Sequence, residues 1–135
     1  MSQTNVDVIR RMDDAWLRGD FDAALAYFAA DAVIDMTVRP DGELYHGPEG
    51  MYEAMRVWVQ SWDDYRFETD DYIDAGDDRV LTLWRERGRG KGSDIEVELV
   101  GGSVWTVREG LVTHVKPYIE REAAVAAAGV ARADD

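Results

Sequence analysis

The chain has no cysteine, three prolines and two histidines in 135 residues, and its 15 lysines and arginines face 28 aspartates and glutamates, for a formal net charge of −13. Without cysteine there is neither a disulfide framework nor a thiolate metal site, which suits a reducing compartment. The two histidines, His46 and His114, are far apart and form no recognisable metal motif, so neither a metal nor another cofactor is expected. The negative charge repels nucleic acid and anionic lipid over most of the surface, and duplex binding would need a concentrated basic face. No apolar run approaches the roughly 20 residues that span a bilayer, and the polar start MSQTNVDVIRR does not read as a secretory signal. No nucleophile signature such as G-x-S-x-G occurs. The expectation is a cytoplasmic protein, one domain over residues 1–135, with no nucleic-acid or membrane partner.

What is present is a helical first half and a strand-rich second half. Val6, Ile9, Met12 or Asp13, and Trp16 recur at helical spacing, with Thr4 as a candidate cap and Gly19 as a stop. Asp20 can cap a second helix, FDAALAYFAADA, that turns Phe21, Leu25 and Phe28 toward the same core. AVIDMTV, residues 32–38, reads as a strand, RPDGELYHG as a loop, and PEGMYEAMRVWVQSW as a third helix opened by Gly47 and Pro48. Four strands follow in YRFETDDYIDA, DRVLTLWRERG, DIEVELVGGSVWTV and LVTHVKPYI, separated by turn residues. The alanine-rich EREAAVAAAGV predicts a short closing helix, with ARADD fraying. Helices first and strands later argue for an α+β fold, a curved antiparallel sheet with helices on one face.

One stretch stands out: WRERGRGKGS, residues 84–93, is strongly basic in an acidic chain. A phosphate-binding loop would run from a strand into a helix, whereas the following IEVELV alternates as a strand. An RNA-binding patch would interleave stacking aromatics, and only Trp84 is near. Strand alternation instead sends Thr82, Trp84 and Glu86 to one face and Leu83, Arg85 and Arg87 to the other. The glycines and cations of GRGKGSD then belong to a hairpin.

The blocks W-x-x-G-D-F-D-A-A-L-x-Y-F-A-x-D-A-V (Trp16 to Val33), H-G-P-E-G-M (His46 to Met51), V-W-T-V-R-E-G-L-V-T-H-V (Val104 to Val115) and Y-I-E-R-E-A-A-V-A-A-A-G-V (Tyr118 to Val130) resemble the SnoaL-like branch of the nuclear transport factor 2-like superfamily. The resemblance implies a cone-shaped curved antiparallel sheet, three N-terminal helices packed on its concave face and a short C-terminal helix. It also implies that Trp84 and Glu86 face into the cone, where hydrolase-like members carry an arginine and a catalytic aspartate. The ketosteroid-isomerase-like base position corresponds to Met36, with Asp35 one residue earlier and therefore outside the cone or at its rim. The second acid of the hydrolases corresponds to Pro117, so the carboxylate pair that would activate a water is not visible.

Glu86 is thus the candidate catalytic residue, with Trp16, Met36, Trp58, Trp62, Trp84, Leu99, Gly101 and Trp105 as candidate ligand-binding residues. Such a site suits a small hydrophobic molecule carrying a carbonyl, on which a desolvated Glu86 would transfer a proton in a cyclase- or isomerase-type reaction without a cofactor. Tyr27, Tyr45 or an indole N–H could stabilise an enolate. The alternative is a binding module on the same fold, holding a ligand or a partner without chemistry. Leu81, Leu83, Val104 or Val107, and Tyr118 would form an apolar patch on the outer sheet face, from which a homodimer is expected.

Overall fold

The computed structural model describes residues 2–39 and 41–130, with side chains from Thr4 onward; the segment ARADD lies outside the described residues. Three helices come early, α1 (Ser2–Leu17), α2 (Phe21–Leu25) and α3 (Gly47–Val59), and α4 (Arg121–Ala128) closes the described chain. The strands are β1 (Phe28–Asp35), β2 (Leu44–His46), β3 (Trp62–Gly76), β4 (Arg79–Gly90), β5 (Glu96–Arg108) and β6 (Leu111–Tyr118). They form one curved, unclosed sheet in the order β2-β1-β6-β5-β4-β3. All neighbours are antiparallel except β1 and β6, so the sheet is mixed at that one pair.

Several boundaries differ from the sequence reading, each for a local reason. α1 starts at Ser2, which places Thr4 inside the helix and not at its cap. Gly19, at φ 82°, ends the helical run by adopting a conformation that suits glycine. Asp20 does cap α2, its side chain accepting a hydrogen bond from the Ala23 N–H at 3.2 Å. α2 is nevertheless only 5 residues long. Phe28 to Ala32, expected to be helical, joins β1 because Phe28 and Val33 pair with Val112 and His114 of β6. The loop after β1 contains the short strand β2, which pairs with β1 through Val33–His46, Ile34–Tyr45 and Asp35–Leu44.

α1 packs against β3, β4 and β5 on the concave side, and α3 packs against β1, β2 and β3. Val6, Ile9, Met12 and Ala15 of α1 meet Ile34, Met36, Val80, Trp105 and Val115 of the sheet in the main core. Burying side chains of this size is worth about 1.5–3 kcal/mol each, which fixes the helices over the cone. α4 instead lies on the convex side. It contributes Ala124 and Ala128 to a second cluster with Leu81 and Val104, flanked by Leu83 and Tyr118.

That placement corrects the expected exposed patch. Leu81 is fully buried and Val104 is 9 % exposed under α4. Val107 sits in the main core, since alternation along β5 puts it on the same face as Trp105 and opposite Val104. Both ends of α4 are held by arginines: Arg121 donates to the carbonyls of Gly101 and Trp84, and Arg79 donates to those of Ala127 and Ala128. Among the described residues, no helix is long and apolar enough to cross a membrane.

The basic stretch resolves into strand β4. Arg85 pairs with Asp70 of β3, Arg87 with Glu98 of β5 and Arg89 with Asp64 of β3. These cations are matched to neighbouring carboxylates along the outer face. The turn proper is Lys91–Gly92, with Gly92 at φ 79°.

Candidate functional site

Between the helices and the concave face lies a cavity of about 780 Å³, near the upper part of the size range of small-molecule sites. The even-numbered positions of β4 and the odd-numbered positions of β5 build one wall. Register pairs Thr82 with Ser103, Trp84 with Gly101 and Glu86 with Leu99. Two indole N–H groups are satisfied within this wall: Trp84 donates to Ser103 Oγ at 2.8 Å and Trp105 to Thr82 Oγ1 at 2.9 Å. The apolar faces of both rings are left for the interior.

Glu86 faces this cavity and is 5 % exposed. The indole N–H of Trp58, on α3, donates to its Oε2 at 2.6 Å. Arg39, in the segment after β1, stacks its guanidinium over the Trp58 ring at 4.4 Å from the centroid. Burial raises the proton affinity of Glu86, against the opposing effects of Trp58, Tyr65 and Arg39. Burial likewise lowers the pKa of Arg39, while the negative charge of Glu86 raises it. Tyr65 is close enough to Glu86 for each to perturb the other's ionisation, yet its hydroxyl has no well-aligned hydrogen-bond partner. Burial, followed by the charge of Glu86, raises the pKa of Tyr65 and keeps the phenol protonated.

A second buried carboxyl of the cavity lining is Asp13 of α1, 9 % exposed. Thr69 Oγ1 donates to its Oδ2 at 2.6 Å, and Tyr72 Oη donates to the same oxygen at 2.5 Å. Three residues apart, Thr69 and Tyr72 would face opposite sides of a regular strand. A register shift between Thr69 and Asp71 bulges β3, and both hydroxyls reach the helix. Burial raises the pKa of Asp13; the two hydroxyl donors oppose that, and neighbouring Asp14 adds to it.

Of the residues expected in the site, Trp16, Met36, Trp58, Trp84, Glu86, Leu99 and Trp105 line the cavity together. Trp62 does not. Its ring packs at 5.5 Å from Trp58 and occupies the space that a side chain at position 88 would fill, since a Cβ on Gly88 would come 2.9 Å from it. Gly101 does not line the cavity either. A Cβ there would lie 2.7 Å from the Trp84 ring and 2.3 Å from the Tyr118 carbonyl oxygen, so the glycine makes room for the indole and not for a ligand. Tyr27 and Tyr45, considered as donors, pack against the main core outside the cavity lining. His46 is exposed and His114 half-buried on β6. Asp35 lies outside the cavity lining, tied to Thr37 and 3.9 Å from Lys116. Among the described residues, no group of three or more His, Asp or Glu side chains is placed to hold a metal.

Asp13, Arg39, Tyr65, Thr69 and Tyr72 were not singled out by sequence reasoning. Asp13 could have been found: a carboxylate on the apolar stripe of a helix is a buried group that must find partners. The others depend on a loop path and a bulge.

Fold and cavity together define an α+β cone enclosing an apolar chamber with two buried carboxyls. Residues 9–115 match the model of the SnoaL-like domain, and the chain belongs to that family. Among solved structures, a nuclear transport factor 2-like protein from Burkholderia thailandensis superposes with a TM-score of 0.74 at 24 % identity, covering 94 % of this chain and 98 % of that one. A candidate polyketide cyclase from Xanthomonas campestris pv. campestris gives 0.67 at 26 % identity, with coverages of 86 % and 90 %. A protein of ketosteroid isomerase-like fold from Catenulispora acidiphila, in complex with trimethylamine, gives 0.69 at 16 % identity, with coverages of 92 % and 93 %. At that identity the likeness speaks for the fold. Curated proteins give no match.

Proposed function

We propose that the cavity binds a small hydrophobic molecule bearing a carbonyl group and that Glu86 transfers a proton on it, a cyclase- or isomerase-type reaction within reach of a carboxyl group acting without a cofactor. The observation that carries this reading is a carboxyl group 5 % exposed, lining an apolar cavity, with no salt bridge within 4.0 Å among the described residues. Desolvation strengthens its basicity, so its ionised form can take a proton from carbon adjacent to a carbonyl. The Tyr65 hydroxyl and the Arg39 guanidinium are the donors available to an oxygen that gains negative charge beside it. The candidate polyketide cyclase among the structural neighbours is consistent with this class of reaction.

Solvent-deuterium exchange tests the reading even while the product is unidentified. Cyclic ketones and polyketide fragments are incubated with the protein in deuterated buffer and followed by NMR. Exchange next to the carbonyl is expected for a bound member of the panel, and Glu86→Gln should reduce it by about 10²–10⁴-fold while leaving binding measurable by calorimetry. Undiminished exchange in that variant removes Glu86 from the chemistry. The second reading, a binding module, draws on the 2.6 Å bond from Trp58, which already occupies one carboxylate oxygen. Calorimetric binding across the panel with no exchange in the unmodified protein would establish it.

A further inference from the structure

We infer that the ligand of this cavity carries a basic nitrogen, held as an ammonium by Asp13, which lines the cavity together with Glu86. The inference rests on the reading of the cavity as a small-molecule site and adds the substrate class. Three observations carry it.

The first is the partner set of Asp13. Two hydroxyls donate to it, both to Oδ2, and no lysine, arginine or histidine lies within 4.0 Å of it among the described residues. Oδ1 is left for a ligand, on a side chain that lines the cavity and is nine-tenths buried. A buried carboxylate without a cation is costly unless it is protonated or a cation arrives.

The second is the difference between the two carboxyls. Glu86 has the guanidinium of Arg39 and the indole N–H of Trp58 around it. Asp13 has only hydroxyls, so a ligand cation gains more at Asp13. Thr69, its partner, pairs with Trp84, whereas Phe67 pairs with Glu86, and two residues of strand correspond to about 7 Å. A ligand with its carbonyl at Glu86 can therefore reach Asp13 with a nitrogen a few bonds away.

The third is the surroundings. Trp16 is one helical turn beyond Asp13 and lines the cavity, as do Phe67 and Trp84, whose rings are 6.0 Å apart. Aromatic faces accept a desolvated ammonium favourably. The net charge of −13 raises the local concentration of cations and disfavours anions.

Binding of an ammonium would draw Asp13 into its ionised form, so the complex releases a proton wherever the free carboxyl holds one. Amine affinity then rises with pH through the titration of Asp13. The groups facing that carboxyl are Thr69 and Tyr72 of β3, Asp14 beside it on α1, and Arg10, which stacks on the Tyr72 ring at 4.9 Å; Glu86, Tyr65, Arg39, Arg66, Glu68, Arg85 and Arg87 are the other ionisable groups of the cavity lining.

The test uses three probes of one shape: 1-naphthylmethylamine, 1-naphthylmethanol and 1-naphthylacetate, titrated calorimetrically into the full chain. The amine is expected to bind at least about tenfold more tightly than the alcohol, and the acetate most weakly. Asp13→Asn should abolish the amine preference and spare alcohol binding, and Glu86→Gln should keep the preference. Should Asp13→Asn fold poorly, the unmodified protein still decides: titrations repeated from about pH 4 upward must show amine affinity rising with pH while alcohol affinity does not follow it. Equal affinity for amine and alcohol, preference for the acetate, or loss of the preference in Glu86→Gln instead overturns the assignment. An amine preference without carbonyl exchange would sink the proton-transfer reading and leave the anchor; exchange without an amine preference would do the reverse.

Discussion

Replacing Gly101 by alanine adds one methyl group at the point where β5 passes beneath Trp84. The new Cβ would stand 2.7 and 3.0 Å from two ring carbons of the indole and 2.3 Å from the Tyr118 backbone oxygen. All three distances fall short of the roughly 3.5–4.0 Å at which carbon contacts are favourable. The indole could swing away only by breaking its 2.8 Å bond to Ser103, and the backbone oxygen belongs to β6, the next strand of the sheet. Overpacking of this kind costs about 1–3 kcal/mol, and with a backbone atom involved we expect the upper half of that range. For a chain of this size the unfolding entropy converts each kcal/mol to about 3.5 °C, so Tm should fall by roughly 7–10 °C. Gly90→Ala is the control. Its Cβ would meet nothing closer than Ser93 at 3.9 Å, its φ is not positive, and its effect should stay within about 0.5 kcal/mol. Calorimetric unfolding of both variants, with near-ultraviolet circular dichroism to follow Trp84, decides the matter. If Gly101→Ala melts no lower than Gly90→Ala, the packing that holds Trp84 beside Glu86 has been misread.

Three further outcomes follow from the same contacts. Trp58→Phe removes the N–H that donates to Glu86, so the carboxyl's proton affinity should rise and any pH–rate profile limited by it should move to higher pH; an unmoved profile would mean that the indole does not tune the acid. Asp13 has a raised pKa in the fold, so its stabilising effect is complete below its unfolded value near 3.8 and is lost as pH rises through the folded value. Urea unfolding should therefore show Asp13→Asn gaining on the unmodified protein as pH increases from 4 to about 8, and a constant difference would count against burial as the cause. Arg121→Ala removes hydrogen bonds to the Gly101 and Trp84 carbonyls and should cost about 1–2 kcal/mol, with hydrogen exchange rising first along β4 and β5 near those residues.

The direction of Glu86 was legible because strand β4 is regular where it matters. From Thr82 to Glu86 its ladder with β5 has no register shift, so a period of two carries Trp84 and Glu86 to the same face. The same rule fails on β3. Between Thr69 and Tyr72 an extra residue is inserted, and no feature of the string ETDDYID distinguishes that bulge from ordinary alternation. The Asp13 cluster was hidden for this reason, although the position of Asp13 on an apolar stripe was in plain view. Arg39 was invisible for a different reason: it reaches Trp58 from an irregular segment, and nothing in RPDG says where such a segment leads. Gly88 was read as part of the hairpin loop but lies within β4, and Gly101 was read in the right strand but with the wrong purpose. Gly88 and Gly101 accommodate Trp62 and Trp84, a three-dimensional fit that one-dimensional spacing does not encode.

Sequence reasoning placed Leu81, Leu83, Val104 or Val107, and Tyr118 together on the convex face; Leu81, Leu83, Val104 and Tyr118 are together, under α4, and Val107 is in the main core. The closeness of that cover is visible at Gly102, where a Cβ would lie 2.8 Å from the Ala124 methyl group. The helix itself is 8 residues long, too short to be stable alone in water, so it stays only because the sheet and its two arginine clamps hold it. A chain ending at Glu120 should keep the cone, since the main core contains no residue of α4, yet it would uncover Leu81 and Val104. Exposed apolar surface on a sheet of this kind associates. Sedimentation of the shortened chain at micromolar concentration should therefore show a larger species than the full chain under the same conditions, and addition of a peptide spanning 121–135 should reverse the change. A shortened chain that sediments as its own monomer would mean that the ion-paired arginines of β4, and not α4, are what keep the convex face from self-association.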